Sequence, residues 1–339
     1  MDLKQLNAVA KAMTGKNKGI LAADESGGTI KKRFDSIKTE STEESRRRYR
    51  EMLFTTPGAA DYIGGVILFD ETIRQKTSDG VPFPKYLANL GMIPGIKVDK
   101  GAHDLPGFPG EKITEGLDGL PERMAEYFEL GARFAKWRAV INIGKGIPSD
   151  FCLRANAHAL ARYAAICQHA NIVPIVEPEV IMDGDHSIKR CEEVTSAALD
   201  HLFAELEAHK VALEGIVLKP NMVISGTEAA NRAGPQEVAD ATLRCLKAHV
   251  PAAVPGIAFL SGGQSSEEAT EHLSLMNAAG KLPWELSFSY GRALQAASLD
   301  AWRGKEENYK AGQDAFAKRA KLNSLAHQGK YDSSMEAAA

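Results

Sequence analysis

Short apolar runs alternate with longer segments of helical period, and along this chain the alternation occurs eight times. The runs cover residues 19–23, 63–69, 95–98, 134–138, 172–177, 215–219, 256–260 and 285–289. Each has the length of a strand buried on both faces, as parallel strands between helices are. Between them, Leu160, Tyr163, Ala164 and Cys167 follow the i, i+3, i+4, i+7 spacing of one helix face. Val194, Ala198 and Leu202 repeat it, as do Val238, Ala241 and Cys245. Run starts lie roughly 30 to 45 residues apart, the length of one βα unit with insertions. Eight such units predict an α/β fold, a closed (β/α)8 TIM barrel. An open doubly wound sheet more often carries a G-x-G-x-x-G turn after its first strand, and none stands there. The Pro/Gly-rich stretches 81–84 and 102–119 read as long loops at the barrel ends. The expected layout is one domain over residues 1–331 that includes an amino-terminal helix, followed by a short flexible tail at 332–339.

Composition narrows the partners. With 44% hydrophobic and 25% charged residues, the chain can bury a full core without metals or staples. A net charge of -3 gives no global attraction to nucleic acid or to acidic membranes. Arg46, Arg47 and Arg48 are surrounded by Glu40, Glu43, Glu44 and Glu51, and Ser41 with Glu44 makes a capping-box pattern. That run reads as a solvated or intersubunit helix face. Cys152, Cys167, Cys191 and Cys245 form no CxxC pair and no zinc spacing, so buried thiols are expected. Leu3, Leu6, Val9, Ala10 and Met13 have helix spacing, unlike the unbroken core of a secretory signal. No run is long enough to span a bilayer, and a cytoplasmic home is expected.

Charge placement points to function. Nearly every run ends in a charged or small polar residue: Asp24, Asp70, Lys97 with Asp99, Lys136 with Arg138, Glu177 with Glu179, Lys219, Ser261, and Ser289 before Arg292. One such residue is usually a satisfied structural group. Eight run ends with the same habit converge on one barrel mouth, where such enzymes place their active sites. Residues two apart on a strand share a side, so Lys97 and Asp99, Lys136 and Arg138, and Glu177 and Glu179 each point the same way.

Lys219 ends the apolar run GIVLK with no acid in its own segment. Desolvation and a neighbouring cation such as Lys136 would favour a neutral amine, the form that attacks a carbonyl. Standing alone, such a lysine is better read as half of an ion pair. The turns SGGQ at 261–264 and YGR at 290–292 follow the last two runs, the usual phosphate site of this barrel. Gly262, Gly263 and Gly291 would let backbone approach an anion, and Arg292 adds a bidentate donor. After the first run, Ser26, Thr29 and Arg33, with Lys97, can hold a second anion. Two anion sites flanking a reactive lysine suggest a bisphosphorylated sugar.

At this point the chain resembles the class I fructose-bisphosphate aldolases. The resemblance is carried by LAADES at 21–26, GIKVDKG at 95–101, FAKWR at 134–138 and VPIVEPE at 173–179. It continues through LKPNM at 218–222, LSGGQ at 260–264 and FSYGRALQ at 288–295, all in the family's order. It implies a glycolytic and gluconeogenic lyase that cleaves fructose 1,6-bisphosphate through a Schiff base on Lys219. By the same resemblance, Lys136 and Glu177 handle carbinolamine formation and dehydration, Asp24 accepts the hydroxyl proton, and Glu179 orients Lys136. Ser261, Gly262 and Arg292 hold one phosphate, and Ser26, Thr29, Lys97 and Arg138 the other. Arg33 matches the family's mobile arginine, and Thr29 stands where many relatives have serine. Sugar phosphates are the implied partners, a homotetramer the implied assembly, and neither cofactor nor metal is implied. Many relatives end in a tyrosine that serves the enamine proton step. Here the last tyrosine is Tyr331, so that step falls to Glu177 or a bound phosphate.

Three other readings stay in view. A metal-dependent aldolase would need clustered histidines on strand ends, and no H-x-H, H-x-x-x-H or H-x-x-E pair occurs among the nine histidines. The one acid–histidine cluster, Asp183 to His186, reads as a cap for the next helix. A transaldolase-like transferase would use the same imine. A non-catalytic scaffold would have lost one of Lys219, Lys136, Glu177 or Asp24, and all four are present.

Overall fold

The computed structural model describes residues 1–15 and 17–337. Its strands are β1 (Gly19–Ala23), β2 (Ile63–Leu68), β3 (Ile93–Lys97), β4 (Ala102–Asp104), β5 (Lys112–Thr114), β6 (Phe134–Ile141), β7 (Val173–Val180), β8 (Val217–Leu218), β9 (Gly256–Phe259) and β10 (Glu285–Tyr290). The helices are α1 (Leu3–Thr14), α2 (Gly27–Ser36), α3 (Glu43–Phe54), α4 (Asp70–Ile73), α5 (Phe83–Asn89) and α6 (Leu120–Glu129). They continue as α7 (Asp150–His169), α8 (Ile188–Ala208), α9 (Pro235–His249), α10 (Ser266–Ala278), α11 (Arg292–Trp302) and α12 (Tyr309–His327).

Eight strands close into a parallel barrel in the circular order β1-β10-β9-β8-β7-β6-β3-β2, with β1 pairing both β10 and β2. Every apolar run of the sequence is one of these strands. The remaining two, β4 and β5, form an antiparallel hairpin inside the stretch read as loop, with His103 opposite Ile113. Strands of three residues are too short to show a period of two.

Strand alternation divides the core in two. Ile20, Ala22, Ile67, Phe134, Val173, Ile175, Val217 and Ala258 point into the barrel and pack on Leu6, Ala10 and Met13 of α1. The amino-terminal helix therefore plugs the lower end. Residues of the opposite parity, such as Leu21, Ala135, Trp137, Val176, Leu218 and Phe259, pack outward against the helices. Inside, Phe134 fills space left by Gly95, where a Cβ would lie 2.2 Å from the ring. Counting upward by two from the inward set, Ala22 leads to Asp24, Phe134 to Lys136 and Arg138, Ile175 to Glu177 and Glu179, and Val217 to Lys219. The lower part of the barrel is filled with side chains, and the same face of each strand becomes charged above it.

Two caps differ from expectation. The box on α3 is Thr42 with Ser45, one residue after the Ser41 and Glu44 pattern, because the Thr42 hydroxyl accepts the Ser45 N–H and Ser45 returns the bond. Ser187, and not the Asp183 to His186 cluster, caps α8, its hydroxyl accepting from Arg190 N. The Arg46 to Arg48 run is paired within the chain: Arg46 with Glu71, Arg47 with Glu44 and Glu51, Arg48 with Glu51 and Glu306. All four cysteines are buried and free. Among the described residues, no helix is long and apolar enough to cross a membrane. At the carboxyl end, Ser333–Glu336 form a 3-10 turn. The Glu336 carboxylate accepts from Arg319 and from the Tyr331 hydroxyl. Ala338 and Ala339 of the expected tail lie outside the described residues.

Candidate active site

The upper mouth of the barrel encloses a cavity of about 1050 Å³. Asp24, Ser26, Thr29, Arg33, Lys97, Lys136, Arg138, Glu179, Lys219, Ser261, Gly262, Gly263, Gly291 and Arg292 all line it. Eleven of them come from strands or the loops that follow, Thr29 and Arg33 from α2, and Arg292 from the start of α11. Glu177, the remaining sequence-derived candidate, lies beneath the lining and is 3% exposed.

Its place there matters most. Glu177 Oε1 is 3.2 Å from Lys219 Nζ, and its Oε2 is 3.6 Å from Lys136 Nζ. One carboxylate thus stands between two buried lysines that come from strands on either side of its own. Oε2 has no hydrogen-bond partner among the described residues, so an acceptor site is open. The acid missing from the segment of Lys219 is supplied from β7, a neighbour in space that linear spacing does not reveal.

Lys136 also meets Asp24 Oδ2 at 2.8 Å and Asp99 Oδ2 at 4.0 Å. Burial alone would push its ammonium toward the neutral form, but Asp24, Glu177 and Asp99 outweigh that and raise its pKa above the ordinary lysine value. For Asp24, burial would raise the carboxyl, yet Lys136, Lys219 and Lys97 hold it down at about 2. At neutral pH the pair is an ammonium against a carboxylate. The Asp24 carboxylate is therefore ionised and faces the cavity.

Around this centre stand two groups of anion donors. In the circular strand order, β9 and β10 lie across the barrel from β6 and β3. On the first side are the Ser261 turn, Gly291 and Arg292. Arg292 donates to Gln264 O at 3.1 Å and has no carboxylate partner among the described residues. Gly263 has φ +75, and a Cβ there would lie 2.6 Å from Met182 Cβ. The turn thus needs glycine both for backbone conformation and for space. Beneath it, His272 Nδ1 bonds Gln264 Oε1 at 2.7 Å, and burial lowers the imidazole pKa to about 4.

On the other side, Lys97 pairs with Asp99, and Arg138 with Glu179. The expectation that Glu179 orients Lys136 is therefore corrected: its carboxylate is taken by Arg138, while Asp24, Asp99 and Glu177 surround Lys136. After β1, which pairs with β10, the Ser26 side chain caps no backbone N–H of α2, and its hydroxyl lies 3.3 Å from that of Thr29. Both hydroxyls sit at a helix amino terminus, a natural anion seat. Arg33 is held by Glu25, which also accepts from Gln295 at 2.9 Å. Sequence reasoning named Asp99 as a strand-end charge without giving it a role. It overlooked His272, whose partner Gln264 lies eight residues away, and Gln295, whose partners Ala22 and Glu25 lie at the end of the neighbouring strand β1.

Comparison with known proteins agrees with this geometry. The family model described as fructose-bisphosphate aldolase class-I matches residues 5–339. A probable class 1 fructose-bisphosphate aldolase of Xanthomonas campestris is 60% identical over 98% of this chain and 99% of its own. Fructose-bisphosphate aldolase 6, cytosolic, of Arabidopsis thaliana is 56% identical over 93% of this chain and 88% of its own. In structure, the chain superposes on the Plasmodium falciparum fructose-bisphosphate aldolase, crystallised with TRAP and a small-molecule inhibitor, at TM-score 0.96 and 51% identity. That match covers 97% of this chain and 96% of the other. A closed barrel with this mouth and these relatives leads to one conclusion: the chain belongs to the class-I fructose-bisphosphate aldolase family.

Proposed function

We propose that Lys219 is the Schiff-base nucleophile for reversible cleavage of fructose 1,6-bisphosphate to dihydroxyacetone phosphate and glyceraldehyde 3-phosphate. The observation that carries this is Glu177, set 3.2 Å from Lys219 and 3.6 Å from Lys136 in a buried cluster. Glu177 takes a proton from the Lys219 ammonium, and the amine adds to the ketone carbon. The adduct nitrogen gives one proton to the oxygen, making the carbinolamine hydroxyl, and Glu177 returns the other so that the hydroxyl leaves as water, with the Lys136 ammonium stabilising the oxygen as charge develops. Asp24 accepts the proton of the hydroxyl beside the bond that breaks. The bond's electrons pass into the iminium, giving an enamine on Lys219 and a free aldehyde. Protonation of the enamine by Glu177 or a bound phosphate, then hydrolysis, releases the ketone product.

The two donor groups around the barrel mouth suit a substrate with phosphate at both ends. Ser261, Gly262, Gly263, Gly291 and Arg292 take one phosphate; Ser26, Thr29, Lys97 and Arg138 take the other, with Arg33 closing beside Gly291. Glu179 serves as the positioning group for Arg138. The layout is one barrel domain, 1–331, with a short tail, acting as a cytoplasmic homotetramer. The cytosolic designation of the Arabidopsis relative supports that location.

Lys219→Arg tests the assignment, because it keeps the charge but not the nucleophile. Cleavage is expected to fall by roughly 10⁴-fold or more while bisphosphate still binds, as measured by steady-state kinetics and competitive titration. Activity of that variant within tenfold of the parent would remove Lys219 from the chemistry.

A further inference from the structure

On the outer wall of the barrel, two imidazoles and one carboxylate meet where α7 passes the carboxyl end of α8. Glu205 and His209 are four residues apart and share one face of α8, with His209 as its C-cap. His158 reaches across from α7. Its Nδ1 is 3.0 Å from Glu205 Oε2, and His209 Nδ1 is 3.5 Å from the same oxygen. The two rings stand 4.9 Å apart, edge to face. One ligand atom from each residue lies within 4.8 Å of the other two. None of the three lines the catalytic cavity.

We propose that His158, Glu205 and His209 form a binding site for a divalent transition-metal ion of the zinc class, clipping α7 to the end of α8. Three features favour a metal over a bare hydrogen-bonded cluster. First, His209 Nδ1 donates to the Glu205 backbone oxygen at 2.8 Å. That fixes the tautomer, leaves the Nε2 lone pair free, and is the bond that commonly orients a ligating histidine. Second, the site lies at a helix carboxyl terminus, whose unpaired carbonyls attract a cation. Third, two imidazoles and a carboxylate form a donor set that suits zinc, copper or nickel, whereas magnesium and calcium prefer oxygen alone. The ion replaces the proton that His158 shares with Glu205, and water completes its coordination.

The chelator-treated full-length protein, in its own assembly, is titrated with Zn²⁺ by calorimetry, with thermal unfolding recorded in parallel. One ion per chain is expected, with a higher unfolding midpoint in its presence. Mg²⁺ should do neither. His158→Gln and His209→Gln should each weaken Zn²⁺ binding by at least about tenfold and abolish the midpoint rise, with metal-free midpoints close to the parent's. His249→Gln, which removes an unrelated surface pair with Asp200, should change nothing. Absence of saturable binding at one ion per chain would overturn the site. So would unchanged affinity in the His158→Gln, His209→Gln double variant, or an equal loss on His249→Gln.

Discussion

Single residues divide the proposed reaction into steps. Asp24 touches Lys136 but enters only after the imine has formed, so Asp24→Asn should leave imine formation intact. We expect kcat to fall by roughly 10²–10⁴-fold, the scale of a lost acid–base group. The iminium should accumulate and remain trappable by borohydride, as seen by intact-mass analysis. Loss of trapping together with turnover would instead place Asp24 in imine formation. At this scale the sequence was informative about identity and nearly silent about partners. Charges at apolar strand ends marked Lys136, Glu177 and Lys219, because an apolar core rejects them. Which acid faces which cation depends on barrel register, and linear spacing does not show that Glu179 meets Arg138 while Lys136 meets Asp24 and Glu177.

At the scale of elements, the loops do what the strands cannot. The Ser261–Gln264 turn is held from outside by Arg232 on Gly263 O at 3.2 Å and by Arg292 on Gln264 O. Gly263→Ala meets Met182 and a left-handed backbone, so the turn must shift. The expected result is a rise in KM of about tenfold or more with a smaller change in kcat, the sign of lost ground-state phosphate binding. An unchanged KM would free the turn from that role. Strand positions were legible throughout, since a strand buried on both faces is an unbroken apolar run. The β4-β5 hairpin was not, because β4 is exposed and both strands are three long. The true caps, Thr42 and Ser187, stood beside other hydroxyls and acids of equal promise, and only backbone geometry chose between them.

The whole molecule couples site and stability through pH. Burial keeps His272 neutral, lowering its pKa from 6.5 to about 4. The unfolded chain then binds the extra proton, so this group's stabilisation is full above pH 6.5 and is lost as pH falls toward 4. The loss is on the order of 3 kcal/mol. Asp24 adds on the order of 2 kcal/mol above its unfolded value, lost as pH falls from 3.8 toward 2. Thermal unfolding midpoints should therefore decline from pH 6.5 downward. His272→Gln, which keeps a partner for Gln264, should flatten the upper part of that decline; an unaltered profile would contradict the buried neutral imidazole. The amphipathic spacing of α1 was visible in the sequence, but its seat as the plug of the barrel was not. That seat depends on inward residues from six strands, spread from Ile20 to Ala258.

The central claim is a covalent bond at Lys219. The direct measurement is reduction with borohydride in the presence of fructose 1,6-bisphosphate, followed by peptide mapping. The account predicts one added dihydroxyacetone phosphate unit per chain, on the peptide carrying Lys219, with activity lost in proportion and insensitive to chelator. Label on Lys136 or on no lysine, with turnover abolished by chelator, would contradict it.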